Sequence, residues 1–171
     1  DYTMAVPSAQ LKSCLMIAGL FASGNTILHQ PAESRDHTER MLQRMGVAIV
    51  EDGLTVTLKP GQPIQALDIH VPADISSAAY WLVAGVCHPS AQVTVTRVGI
   101  NHTRAGIIEA LRGMGARINL SNRRLDGGEE VADVTAESSD LIGTEVTGSL
   151  VPRLVDEVPV LALAACFARG T

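Results

Sequence analysis

The chain has 171 residues, 46% of them hydrophobic, which is enough to bury a core in one or two small domains. Its net charge of −5 and aromatic content of 3% exclude nucleic acid as the main partner, because there are few cations to neutralise phosphates and few rings to stack on bases. No apolar run reaches the roughly 18 to 20 residues of a membrane span and no basic-then-apolar leader opens the chain, so the expectation is a cytoplasmic protein without membrane association.

In chain order, Thr3 to Val6 predicts a short strand ended by Pro7. Ser8 then caps a strongly apolar helix that runs to Ala22 and stops at Ser23-Gly24. The Ser8 hydroxyl and the first-turn N–H groups of Ala9 and Gln10 make a place for a small anion. Lys12, one turn on, suits a phosphate or equally a solvated surface. Asn25 to His29 predicts a strand, and the loop Pro31 to Ser34 leads into a helix from Arg35 to Met45, closed by Gly46. Ser34 or Asp36 is the expected cap there, with Glu39 in the first turn. Arg35 breaks that pattern, since a cation is unfavourable at the positive end of a helix; an anion held between Arg35 and the Ser8 helix start would relieve the mismatch. Val47 to Val50 and Leu54 to Leu58 flank Glu51-Asp52-Gly53 as a hairpin, completing a βαβαββ unit.

The same order then recurs, with Leu67 to Val71 as a strand, Asp74 to Cys87 as a helix, Val93 to Val98 as a strand and Thr103 to Met114 as a helix capped by Thr103. Met114-Gly115 echoes Met45-Gly46. Ala116 to Leu120 and Val131 to Ala136 predict the closing strand pair, joined by a polar loop from Arg123 to Glu130. A third unit begins with a strand at Thr144 to Thr147 and a helix after Pro152 that reaches Ala168. Because the chain stops where the next strand of that unit should begin, and opens on Asp1, the expectation is an internal segment of a longer protein. Exposed strand edges at its two ends would favour self-association.

Cys14, Cys87 and Cys166 fall in the apolar helices without a C-x-x-C pair and are expected to be buried reduced thiols. The histidines are scattered without metal-ligand spacing, and no G-x-G-x-x-G, P-loop or nucleophile elbow occurs, so neither a metal nor another cofactor is expected. Asp156-Glu157 opens the third apolar helix, where dipole considerations alone would place carboxylates. The register that matches Phe21 with Phe167 sets Gln10 opposite Asp156, an amide and a carboxylate on corresponding helix tips.

Taken together, Pro7-Ser8-Ala9-Gln10-Leu11-Lys12-Ser13, Ser34-Arg35-Asp36-His37-Thr38-Glu39, Val71-Pro72-Ala73-Asp74-Ile75-Ser76-Ser77-Ala78, Asn101-His102-Thr103-Arg104-Ala105-Gly106 and Asp156-Glu157-Val158-Pro159 resemble the 5-enolpyruvylshikimate-3-phosphate synthase family, in the family's order and over the whole chain. The resemblance implies an α/β (α+β) fold of repeated βαβαββ units in a two-domain, monomeric parent. Residues 1–72 would belong to the shikimate-3-phosphate-binding domain and 73–171 to the second, with about two and a half of the six units present. It further implies transfer of the enolpyruvyl group from phosphoenolpyruvate to shikimate 3-phosphate, with release of phosphate. By position, Ser8, Ala9 and Gln10 match the family's phosphate-binding trio, Arg35 a further contact to shikimate 3-phosphate, and Asp156 the catalytic aspartate. Ala9 stands where many relatives carry a second serine, His102 replaces a proline, and Ala73 replaces the usual glycine, a change at odds with positive φ there. The arginines that bind phosphoenolpyruvate in the family have no match within the chain, so the segment alone is expected to be inactive. The alternatives are the sister transferase acting on a UDP-sugar, against which Ser8-Ala9-Gln10 with Arg35 weighs, and a non-catalytic anion-binding repeat scaffold in which Asp156 is only a cap.

Overall fold

Ser8 lies in an extended conformation, and its Oγ accepts the N–H of Leu11 at 3.2 Å, which starts α1 (Ala9–Gly19) as a capped helix. The computed structural model describes residues 1–171 and divides into two compact units, Asp1–Ile69 and His70–Thr171. In the first, β1 (Tyr2–Thr3) pairs in parallel with β2 (Thr26–His29). After α2 (His37–Arg44), β3 (Ala48–Asp52) and β4 (Thr55–Lys59) form the expected antiparallel hairpin. The sheet order is β1-β2-β4-β3, and Met16, Leu28, Leu42, Val56 and Leu58 fill the space beneath it.

The Met-Gly echo has a local cause. Gly46, at φ 91°, donates to the carbonyl of Gln43 while Val47 donates to that of Leu42, the paired bonds of a Schellman closure. Gly115, at φ 83°, donates to Arg112 while Ala116 donates to Leu111, closing the corresponding helix in the same way.

The second unit departs from expectation at its start. Residues 67–71 form no strand; the equivalent pairing is a single parallel bridge between Ala73 and Val98, in which Ala73 donates to the Arg97 carbonyl and accepts from Gly99. Ala73 is not among the residues with positive φ, so alanine is accommodated there without strain. Then come α3 (Ile75–Cys87), β5 (Gln92–Gly99), α4 (Gly106–Gly113), β6 (Arg117–Asp126) and β7 (Glu129–Glu137), with sheet order β5-β7-β6. The loop expected over 123–130 is instead mostly strand. Gly127 and Gly128, both at positive φ, make a two-residue turn that carries the right-handed twist of the hairpin directly across. Thr103 does not cap α4, whose N-cap is Ala105.

The last stretch also differs. Residues 144–147 form no strand, and the pairing in this region is a parallel bridge between Ile142 and Arg169. Two 3₁₀ turns, Gly148–Arg153 and Val155–Glu157, precede α5 (Val158–Ala165), which begins with Pro159 in its first turn and ends short of Ala168. Ile75, Leu82, Ile107, Leu111, Leu154 and Val160 anchor the core of this unit. Cys14 and Cys166 are exposed and Cys87 is partly so, which corrects the expectation of buried thiols: these helices are too apolar for composition to tell their buried face from their exposed one.

Both outer strands of the second sheet bulge beside β7. Arg97 in β5 and Asn122 in β6 take positive φ, and the Asp133 carboxylate between them accepts the Arg97 N–H at 2.9 Å and the Asn122 side-chain amide at 2.7 Å. These bonds hold the Asp133 carboxyl below the ordinary carboxylate range. Asp133→Ala should therefore free both bulges, and amide hydrogen exchange should show faster exchange at Arg97 while the Leu111 amide is unchanged.

Candidate active site

The residues proposed to hold the sugar-acid phosphate lie in the first unit. Ser8 and Ala9 are half-buried at the head of α1 and Gln10 is exposed beside them. Arg35 is half-buried in the segment just before α2, whose N-cap is Asp36. Asp36 makes no capping hydrogen bond to the backbone; its carboxylate instead accepts from Arg40 Nε at 2.8 Å.

Lys12 ties these two segments together. Its side chain is 1% exposed, and Nζ lies 2.5 Å from Oε1 of a wholly buried Glu39 and 3.4 Å from the carbonyl oxygen of Ser34. Lys12 is thus neither a solvated lysine nor an open cation for a phosphate. Its ammonium is committed to a carboxylate on α2 and to the peptide that precedes Arg35. Ser13 and Thr38 add a hydroxyl bond of 2.6 Å between the same helices, and Ser34 Oγ donates to Gln30 at 2.6 Å. The Arg35 segment is fixed against the first turns of α1 by these contacts. Burial raises the Glu39 carboxyl above its ordinary value, and the Lys12 ammonium opposes that rise.

Asp156 lies in the second unit, in the 3₁₀ turn that leads into α5, with 46% of its side chain exposed. Its Oδ2 is 3.1 Å from Arg104 Nη1. The same nitrogen is 3.1 Å from Oε1 and 3.4 Å from Oε2 of Glu157, whose side chain is wholly buried. Arg104 Nη2 also donates to Ser76 Oγ, and Ser76 Oγ donates to Glu157 Oε1. Ser76 stands in the first turn of α3, where the Asp74 carboxylate accepts the N–H groups of Ser76 at 3.2 Å and Ser77 at 2.9 Å. Burial alone would raise the Asp74 carboxyl, but the Ser77 hydroxyl, these two N–H groups and the nearby Arg104 guanidinium together hold it below the ordinary carboxylate range.

The loop that carries Arg104 is built by Asn101, itself buried. Asn101 Oδ1 accepts both the N–H and the hydroxyl of Thr103, at 3.0 and 2.8 Å, and its backbone carbonyl accepts the N–H groups of Arg104 and Ala105. Three of the motifs singled out in the sequence, around Asp74, Asn101 and Asp156, therefore meet at one guanidinium. Arg104, Ser76 and Glu157 were not assigned roles from the sequence. The available signal was a cation immediately before a helix, the same anomaly that pointed to Arg35.

The first unit runs βαβαββ and the second keeps that order with its first strand reduced to the Ala73 bridge, the arrangement of the enolpyruvyl transferase fold. The fold matches the enolpyruvyl transferase NikO from Streptomyces tendae with a TM-score of 0.72 over 91% of this chain and 36% of that one, at 23% identity. The family model described as EPSP synthase (3-phosphoshikimate 1-carboxyvinyltransferase) matches residues 1–171, and the chain belongs to that family. It is 49% identical to the 3-phosphoshikimate 1-carboxyvinyltransferase of Roseiflexus castenholzii over 99% of its own length and 40% of the relative's. It is 46% identical to the enzyme of that name from Bacillus subtilis, over 100% of its own length and 40% of the relative's. The EPSP synthase from Acinetobacter baumannii superposes with a TM-score of 0.91 at 41% identity, covering 99% of this chain and 39% of that one. The chain thus spans about 40% of the length of these relatives.

The Lys12–Glu39 contact has a measurable consequence. Lys12→Met strands a buried carboxylate and should lower the unfolding free energy of the chain by about 3–5 kcal/mol, whereas Lys12→Met/Glu39→Leu should recover most of that loss. Urea denaturation of the three proteins checks both statements. The raised Glu39 carboxyl also sets a sign with pH. Its contribution favours the folded form fully below the ordinary carboxylate range and fades as pH rises through the folded-state value. The stability of wild type relative to Glu39→Gln should accordingly fall as pH rises above the ordinary carboxylate range, as read from urea midpoints.

Proposed function

We propose that the whole protein transfers the enolpyruvyl group of phosphoenolpyruvate to the 5-hydroxyl of shikimate 3-phosphate and releases phosphate, within the shikimate route to aromatic amino acids. In this reading residues 1–72 belong to the domain that binds shikimate 3-phosphate. The Ser8 hydroxyl, the backbone of Ala9, the Gln10 amide and the Arg35 guanidinium contact that substrate, and the helix-terminal N–H groups of α1 favour its negative charge. Residues 73–171 belong to the second domain and supply Asp156.

The chemistry assigned to Asp156 is acceptance of the 5-hydroxyl proton as that oxygen attacks C2 of phosphoenolpyruvate. As the new carbon–oxygen bond forms, the C2–C3 double bond takes up a proton at C3, giving a tetrahedral intermediate with a methyl group. Loss of one C3 proton together with breakage of the C2–O bond to phosphate then releases inorganic phosphate and forms the enol ether double bond. The observation that carries the reading is a family match over the full 171 residues, joined to a carboxylate held at a helix head with nearly half its surface open. No helix of the chain is long and apolar enough to cross a membrane.

In the full-length protein, Asp156→Ala should lower kcat by about 10²–10⁴-fold while moving the KM for shikimate 3-phosphate by no more than about threefold. Steady-state kinetics with both substrates provides the check. A change confined to KM would reduce Asp156 to a binding group.

A further inference from the structure

Glu157 cannot act on a ligand, because its side chain is wholly buried, and Asp156 beside it can. The group they share is the Arg104 guanidinium, 14% exposed, which stands between the buried carboxylate and the open one. We propose that Arg104 is a positioning residue: anchored on Glu157 and Ser76, it holds the Asp156 carboxylate in the orientation from which it takes the substrate's proton. This rests on the reading of Asp156 given above.

A lysine would suffice to neutralise Glu157. A planar fork with five donors can in addition address a second carboxylate and a hydroxyl at fixed angles, and Arg104 does so: Nη1 faces Glu157 and Asp156, and Nη2 faces Ser76. Each anchor is itself held. Ser76 is fixed by the Asp74 cap, Glu157 accepts from both Ser76 and Arg104, and the Arg104 backbone is tied to Asn101, whose side-chain amide donates to Glu129 at 3.3 Å. Asp156 lies in the short 3₁₀ turn between these anchors and α5, with its Oδ2 3.1 Å from Arg104 Nη1. The orientation of the acceptor carboxylate is thus set from its buried side, where substrate does not reach. Misplacing such a group by about 1 Å costs on the order of 10²-fold in rate.

The test is a double-mutant cycle in the full-length protein, with wild type first assayed for enolpyruvyl transfer between phosphoenolpyruvate and shikimate 3-phosphate. Arg104→Lys keeps the charge but loses the fork; it should lower kcat by about 10–100-fold and leave the KM for shikimate 3-phosphate within about threefold. Introduced into the Asp156→Asn background, the same substitution should change the residual single-turnover rate by less than about twofold, because the group it positions is already disabled. Arg104→Gln/Glu157→Gln removes both buried charges together, which guards against a folding failure, and should show the same coupling to Asp156→Asn. An unchanged kcat in Arg104→Lys, or equal fold-losses with Asp156 intact and substituted, would overturn the proposal while leaving the function standing. A wild-type protein without transfer activity, or an Asp156→Asn variant as fast as wild type, would overturn the reading beneath it and the proposal with it.

Discussion

A carboxylate taken wholly out of water must be neutralised where it lies, and each unit of this chain meets that demand next to the residues assigned to substrate. In the first, Glu39 is met by Lys12; in the second, Glu157 is met by Arg104. Desolvation makes both pairs doubtful sources of net stability, but leaving either carboxylate without its cation would be costly, and that asymmetry pins the geometry. The Lys12 contact fixes the backbone before Arg35 against α1, and the Arg104 contact fixes the turn before α5 against the heads of α3 and α4. Loops that would otherwise be among the more mobile parts of the fold are held from beneath.

Much of the architecture was legible because its signals are local. Ser8 and Asp74 cap helices through side-chain oxygens that reach only two or three residues ahead, and Gly46 and Gly115 end helices through bonds that span one turn. The β3–β4 hairpin announced itself through Gly53. What failed depended on partners distant in sequence. Residues 67–71 have strand-like composition but pair with no strand, the bridge in this region falling beyond them at Ala73, and residues 144–147 likewise pair with none. The polarity of Arg123 to Glu130 suggested a loop, although the Gly127-Gly128 pair was itself a hairpin signal and the better guide.

The candidate site divides along the same line. Ser8 with the N–H groups of Ala9 and Gln10, and Arg35, are visible locally as a helix cap and as a cation at the positive end of a helix. A carboxylate at Asp156, by contrast, is ordinary for a helix start, and its role, like the substrate roles of the others, is implied by the family resemblance. The burial of Lys12 is invisible locally, because nothing near it in sequence says that Glu39 is buried opposite. Thr103 was assigned to a cap, whereas its hydroxyl serves the Asn101 turn that presents Arg104. The meaning of Arg104 comes from Ser76, Asp156 and Glu157, which no local window contains together.

The outer strand β6 has a consequence of its own. It ends its sheet, so one side of its backbone offers unsatisfied donors and acceptors to any passing extended peptide. The left-handed kink at Asn122 breaks the straight run such a visitor would need, and Arg117, Arg123 and Arg124 place like charges along it. A second copy of the same strand would meet its own cations and a mismatched spacing of hydrogen bonds. Fibrillar growth along this border is disfavoured by the residues that line it.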